Sequence, residues 1–551
     1  MHERINAVYV RFLCGLGSEE KEEDGTLVAL EIDALSVTSC EVLVDFGSDR
    51  RMGDGIWKGM RAAAGALMVI GLLQGCLGLP EEALITHVPG FEGEFPSAHY
   101  GGYVSVDESH GRQLYYYFVT SESSTARTDP LVVWLNGGPG CSSFDGFIYE
   151  HGPFEFEPAK GEKDLPKLTE NRYSWSKVAN ILYVDSPAGV GFSYSKTKAD
   201  YLTGELKTAS DLHKFLLKWI ELYPEYKTNS LFVTGESYGG IYVPTLSRNI
   251  AEGIEAGVEP VLNFKGYAIG NGCTDQAFDG NAIVPFVHGM GLISDELFEA
   301  TQKACAGNYW NITTEECEKH LETIDEDVKD INVYDILEPC YHKPKTLELS
   351  VRHSRLPSSF RKLGETQRKL NVRKRMFGRA WPLRLPNIAG RVPTWGELGD
   401  EELEVPCMDD HVAMAWLNNP AVREALHAAP MKEIGLWELC TNQIIFYSDA
   451  GSMIPIHRNL TLKGYRALVY SGDHDMCVPY TGSEAWTRSM GYKVVDRWRP
   501  WFVDGQVAGY TQGYANHLTF ATVKGSGHTV PEYKPAEALT FLRRWLADEP
   551  L

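Results

Sequence analysis

The sequence predicts an α/β fold in which a mostly parallel, covered central sheet carries an inserted cap. Three observations predict it. Apolar strands and amphipathic helices alternate from about residue 131 to 272, and the alternation resumes at 466. From about 273 to 440 that pattern gives way to helical pieces, cysteines and loops. Finally, a Gly-x-Ser-x-Gly turn closes one of the strands. Alternation of this kind makes each connection a crossover, which covers the faces of a parallel sheet. The first block supplies strands at 131–135, 181–185, 231–234 and 264–269, with helices at 209–222 and from Tyr238 to about 253. The second supplies strands at 466–470 and 518–523 and an amphipathic closing helix at 535–548.

The turn is Gly235-Glu236-Ser237-Tyr238-Gly239, directly after Leu231-Phe232-Val233. A serine hydroxyl is a weak nucleophile until a base is aimed at it. A strained strand-to-helix corner with small neighbours lets both base and substrate approach. Taken alone the pentapeptide reads equally well as a tight turn. Two later strand ends change that. Strand 466–470 runs into Ser471-Gly-Asp-His-Asp475, and strand 518–523 into Gly525-Ser-Gly-His528. An acid and a histidine therefore follow the serine in the order Ser, Asp, His, which is that of the α/β-hydrolase fold. Asp475 is preferred to Asp473 because it lies further into the loop, three residues before Val478-Pro479. His528 alone would read as an ordinary loop histidine. Glycines at 525 and 527 suit a backbone that bends to aim the ring.

Strand 131–135 runs into Asn136-Gly-Gly-Pro-Gly140-Cys141-Ser-Ser143. A glycine-rich strand end of this kind supplies one N–H of an oxyanion hole, here Gly138. The residue after the nucleophile, Tyr238, supplies the other. A phosphate-binding loop is a weak alternative, because the Gly-Lys-Ser/Thr of such loops is absent here.

These segments together resemble the serine carboxypeptidases. The matching residues are Trp134-Leu-Asn-Gly-Gly-Pro-Gly-Cys-Ser-Ser143, Gly235-Glu-Ser-Tyr-Gly-Gly240, Gly472-Asp-His-Asp475 and Gly527-His528-Thr-Val-Pro531. The resemblance runs from about Leu84 to the C-terminal residues. It is closest to the cereal carboxypeptidase I group, through 142–153 and 470–484. It implies that Asn136, Glu150 and Glu236 hold the substrate's terminal carboxylate. Two adjacent carboxyl groups cannot both stay ionised, so one keeps its proton and donates a hydrogen bond to that carboxylate. Without the resemblance, Glu150 would read as a solvated loop acid. Trp134 reads as a packing residue beneath the loop. Asp145, Tyr149 and Thr529 are expected near the leaving-residue pocket. The resemblance also implies disulfides Cys141–Cys440, Cys305–Cys317 and Cys340–Cys407, leaving Cys273 and Cys477 as thiols or as a fourth pair. Spacing alone leaves 105 pairings of eight cysteines open.

Among 551 residues, 43% are hydrophobic and 11% aromatic, as in a globular protein. A net charge of −22 argues against a nucleic-acid binder. Residues 60–79, from Met60 and Arg61 through a small, apolar run, read as a secretory signal; a membrane span is the alternative. Residues 1–59 are then expected to be non-native or disordered, with translation starting at Met60. The chain divides accordingly into a first hydrolase part at 80–272, a cap at 273–440 and a second hydrolase part at 441–551. Asn311-Ile-Thr313 and Asn459-Leu-Thr461 are glycosylation sequons, meaningful only on the secretory route.

Inside the cap, residues 343–391 carry fourteen Lys or Arg against two acids, a local charge of +12 in a chain of −22. Such a run rarely forms a core and reads as an exposed loop. The family resemblance implies a linker excised near Arg373-Lys-Arg375 to give two disulfide-held chains, and a dimer of such protomers. The function expected is that of a serine-type carboxypeptidase acting on peptide or protein C-termini at acid pH. It should favour apolar residues and need no metal or cofactor, in a vacuole or outside the cell. Two rivals are an acyltransferase using sugar-ester donors and a binding or chaperone role. Relatives of the first kind resemble Gly-Asp-Ser-Tyr-Ser at the turn, where this chain has Glu236 and Gly239.

Overall fold

The computed structural model describes residues 80–157, 165–340, 391–392 and 411–551, with two short segments, 11–13 and 41–43. Met1–Gly78 and Leu79–Leu551 are separate units. In the first, Arg11–Leu13 pairs antiparallel with Glu41–Leu43. The segment expected to be a signal at 60–79, Cys407, and all of the basic run at 343–391 but Arg391 lie outside the described residues.

The second unit is built on a twelve-stranded sheet. In chain order its strands are β1 (Leu84–Ile85), β2 (His99–Asp107), β3 (Arg112–Val119), β4 (Leu131–Leu135), β5 (Asn180–Val184) and β6 (Tyr194–Ser195). They continue with β7 (Leu231–Glu236), β8 (Phe264–Gly270), β9 (Arg466–Gly472), β10 (Val494–Val503), β11 (Gln506–Tyr514) and β12 (Leu518–Val523). Across the sheet the order is β10-β11-β12-β9-β8-β7-β4-β5-β3-β2-β1, with β6 on β3. The run β12-β9-β8-β7-β4-β5 is parallel throughout. It is the α/β-hydrolase arrangement expected from the alternation.

Each central strand is buried on both faces, and its alternate residues feed two cores. Val132 and Trp134 join one, while Leu131, Val133 and Leu135 join the other. This explains why β4 reads as an unbroken apolar run rather than an alternating one. Helices α1 (Glu205–Leu222) and α2 (Gly239–Glu255) bury Leu212, Phe215, Ile241 and Leu246 in the second core. The closing helix buries Phe541, Leu542 and Trp545 in the first.

Several sequence boundaries move. The helix expected at 209–222 begins at Glu205, and strand 231–234 extends to Glu236. Tyr238 is the N-cap of α2 rather than its first residue, and the closing helix ends at Leu546. Both antiparallel margins, β1–β3 and β10–β11, went unpredicted. They join through hairpins with no helix between strands, so an alternation criterion passes over them.

Between residues 273 and 340, α3 (Gln276–Gly289), α4 (Asp295–Cys305) and α5 (Glu315–Asp327) each start at a side-chain cap that the sequence analysis did not identify. Asp275, Ser294 and Thr314 each accept from backbone N–H groups of the first turn. Cys141 is bonded to Cys440 and Cys305 to Cys317. Cys340 is also in a disulfide, with its partner outside the described residues. Cys273 is a buried thiol and Cys477 a half-buried one. Asn311 and Asn459 are exposed. Among the described residues no helix is long and apolar enough to cross a membrane.

Candidate active site

The C-terminal ends of the parallel strands are where loops converge in an open α/β sheet. There β7 ends at Glu236 and the chain turns sharply through Ser237, whose φ is +57°. A serine in the left-handed region is strained, and the surroundings hold it there. Its N–H donates to Gly270 O at 3.0 Å, and its carbonyl accepts from Gly240 N and Cys273 N at 2.9 Å each. The helix that follows can approach only because residue 240 is glycine. A Cβ there would lie 2.3 Å from Cys273 O.

His528, beyond β12, and Asp475, beyond β9, meet at 2.8 Å through Nδ1 and Oδ2. Asp475 is fully buried and accepts three further bonds: from Asn271 Nδ2 at 2.8 Å, Cys477 N at 2.7 Å and Val478 N at 3.1 Å. Among the described residues the hydrogen-bond partners of this carboxylate are all donors, so Nδ1 of His528 carries a proton and Nε2 is left as an acceptor. Nε2 is buried and has no hydrogen bond among the described residues. The His528 backbone is held by Tyr334 O at 2.7 Å. Asp473 points elsewhere, to His474 Nδ1 and Gly525 N at 2.7 Å each.

The glycine-rich loop after β4 lies directly over the Ser237 turn. A Cβ on Gly137 would sit 2.4 Å from Tyr238 N and 2.7 Å from Ser237 Cβ. Gly138 follows with φ +113°. Buried Asp185 fastens the far end of this loop. It accepts from Ser142 Oγ at 2.6 Å, Ser143 N at 2.9 Å and Phe192 N at 2.9 Å. Burial pushes the Asp185 carboxyl up to about 6.

Beside the turn, Asn136 Nδ2 donates to Glu150 Oε1 and Glu236 Oε1, at 3.1 Å each. Its Oδ1 accepts from Trp134 Nε1 at 2.6 Å and Gly146 N at 3.1 Å. The amide can therefore face the acids only with its NH2. Trp134 packs beneath the loop as the sequence suggests, and it also orients Asn136. Gly146 is required here, because a Cβ would come within 2.1 Å of Trp134 Nε1. Both glutamic acids are buried, and both are held well above the usual carboxylate range. Burial is the first cause for each, followed by Asp145 for Glu150 and by Glu150 itself for Glu236. Carboxylate oxygens of Asp145, Glu150 and Glu236 lie within 4.8 Å of one another.

Thr529 follows His528 and donates to Glu532 Oε2 at 2.5 Å, and the Glu532 charge acts on both Glu150 and Glu236. Tyr149 is tied through its hydroxyl to Ala413 N at 3.3 Å. Donor atoms of Asp475, Cys477 and His528 are close enough together to hold an ion, as are those of the acidic triplet. In the first group Asp475 already accepts four bonds. In the second an amide NH2 points at two of the carboxyls, which suits hydrogen bonding better than cation binding.

Sequence reasoning missed Asn271, Asp185 and Glu532. Only Asn271 had a local signal, the Gly-Asn-Gly at the end of β8, where its φ is +41°. Trp134→Phe should raise KM about fivefold with a smaller change in kcat, the loss of roughly one hydrogen bond that orients Asn136. Steady-state kinetics on a blocked dipeptide would measure it.

The model of the serine carboxypeptidase family matches residues 89–548. The chain belongs to that family. Serine carboxypeptidase-like 20 of Arabidopsis thaliana is 61% identical over 467 residues, covering 85% of this chain and 93% of that protein. Serine carboxypeptidase 1 of Hordeum vulgare is 59% identical over 472 residues, covering 86% and 94%. Among solved structures, a prohormone-processing carboxypeptidase from Saccharomyces cerevisiae shares the fold, with a TM-score of 0.63 at 20% identity over 86% of this chain and 97% of the other. The protein is thus a hydrolase of the serine carboxypeptidase type.

Proposed function

We propose that the enzyme releases single residues from the C-termini of peptides and proteins at acid pH. One observation carries this reading: the buried Asn136–Glu150–Glu236 cluster adjoins Ser237, through Glu236 in the chain itself. A carboxylate held there has its own peptide carbonyl within reach of the serine, which selects the last bond of a chain.

In this reading His528 Nε2 takes the Ser237 proton as Oγ attacks the last peptide carbonyl. Asp475 orients the ring and stabilises its charged form. N–H groups of Gly138 and Tyr238 receive the oxyanion. His528 then protonates the departing amino acid, and water attacks the acyl-enzyme with the same base. The acid pair supplies the proton that lets a carboxylate bind beside carboxyl groups. The preference for apolar terminal residues is taken from the family resemblance. Exposed sequons and the disulfides support maturation on the secretory route, in the vacuole or outside the cell.

The test is release of the terminal residue from a panel of N-blocked dipeptides between about pH 4 and 8, with Ser237→Ala as control. Release at acid pH that disappears in the variant supports the reading. Absence of release, together with transfer of an acyl group from a sugar ester to an alcohol, would replace it with the acyltransferase.

A further inference from the structure

Tyr238 contributes its backbone N–H to the proposed oxyanion hole, and its side chain is held separately, by Glu205 of α1 and by Phe446. The ring is buried, and its hydroxyl donates to Glu205 Oε1 at 2.5 Å. Glu205 is itself buried at the start of α1. Its other oxygen, Oε2, accepts from the backbone N–H groups of Asp449 and, at 3.3 Å, Ala450. The Asp449 carboxylate returns the contact, accepting from Leu206 N at 3.0 Å. It also lies so close to Gly204 that a Cβ there would meet it at 2.8 Å.

One carboxyl group therefore joins three pieces of chain: the first turn of α1, the segment after Ile445–Tyr447, and the residue that follows Ser237. The surroundings reinforce the junction. Ile445–Tyr447 pairs in parallel with Leu202–Gly204, just before Glu205. Phe446 packs edge-on against Tyr238 at 5.8 Å and near Tyr242 at 6.1 Å. The hydrogen bonds of Glu205 run to Tyr238, Asp449 and Ala450 and, among the described residues, to none of Asn136, Glu150, Glu236 or His528, so substrate binding does not account for a buried acid here. Tyr238 is the N-cap of α2, where the chain has just left the strained Ser237 turn. Rotation of its peptide plane would swing the N–H out of line with the oxyanion, and anchoring the side chain opposes that rotation.

We infer that Glu205 is a positioning residue for acyl transfer, fixing the Tyr238 N–H through the Tyr238 hydroxyl. The inference rests on Tyr238 serving the oxyanion in the proposed mechanism. Ionisable groups facing the carboxyl are Tyr238 from α2 and Asp449 from the loop after residue 447. Burial, and next the Asp449 carboxyl, push Glu205 up to about 7. At acid pH the junction therefore buries a neutral acid, which a glutamine can imitate.

The experiment uses the full chain and two readouts. One is the rate of acyl-enzyme formation at Ser237 with p-nitrophenyl acetate, followed in single-turnover kinetics. The other compares binding of a peptide aldehyde, whose adduct with Ser237 places an oxyanion in the hole, with binding of the corresponding product acid. Glu205→Ala and Tyr238→Phe should each slow acylation about tenfold and weaken the aldehyde in proportion, leaving KM and product binding unchanged. The double variant should be no slower than the worse single one, because both remove the same link. Glu205→Gln should stay within about twofold of wild type, since the amide can keep both contacts. If Glu205→Ala does not fold, Tyr238→Phe still decides, as it removes one hydroxyl and keeps the ring. Folded variants with wild-type acylation, or with equal losses in aldehyde and product binding, would overturn the inference alone. A wild-type protein that is not acylated at Ser237 at all would overturn the triad reading beneath it as well.

Discussion

Asp475→Asn should lower kcat by about 10³- to 10⁴-fold while leaving KM close to wild type. The expectation comes from the four donors around this carboxylate: His528 Nδ1, Asn271 Nδ2 and the N–H groups of Cys477 and Val478. A carboxylate satisfies all four. An amide has one oxygen and one NH2, so its NH2 must turn toward a donor. If it turns toward His528, the ring takes the other tautomer, with its proton on Nε2, where it cannot accept from Ser237. If it turns toward the backbone, the loop that holds residue 475 loses its anchor. Because Asp475 is fully buried, water cannot repair either arrangement. Pre-steady-state acylation and the melting temperature separate the outcomes. A folded variant retaining more than about a tenth of wild-type kcat would remove Asp475 from the mechanism.

The second large effect is on substrate binding and follows from the acid pair. Glu150 and Glu236 are both pushed upward, first by burial and then by neighbouring carboxyls. The pair titrates as a unit. In the proposed mode of binding, one carboxyl keeps a proton below the pair's higher apparent value and donates to the substrate carboxylate. As pH rises through that value both become charged and repel the substrate. KM should therefore climb about tenfold per pH unit on the alkaline side, while kcat for bound substrate changes less. Glu236→Gln makes the sign testable, because its NH2 is a donor at every pH. The variant should bind more weakly than wild type at acid pH, and its KM should stay nearly flat into the alkaline range. A wild-type KM unchanged from acid to neutral pH would remove proton sharing as the basis of recognition.

By itself, the sequence determined whatever depends on neighbours along the chain. Buried strands read as unbroken apolar runs, because each is covered on both faces. The turn at Ser237 and the crowded loop at Gly137 need glycines that are visible as a pattern. The order of Ser237, Asp475 and His528, each just past a strand end, was legible for the same reason. Parallel strands deliver their ends to one edge, whatever the spacing between them. The margins β1–β3 and β10–β11 escaped because hairpins do not alternate with helices.

Only the tertiary structure decided the roles set by distant contacts. Asn271 reaches Asp475 across 204 positions, Glu205 reaches Asp449 across 244, and Asn136 bridges Glu150 and Glu236. A buried carboxyl is an expensive group, tolerated where donors or a proton satisfy it. Whether Asp185, Glu205 or Glu150 is such a group depends on what the fold brings against it. A single residue in a sequence carries no mark of that partner. The side-chain chemistry was written in the chain; its desolvation, and hence its use, was written by the packing.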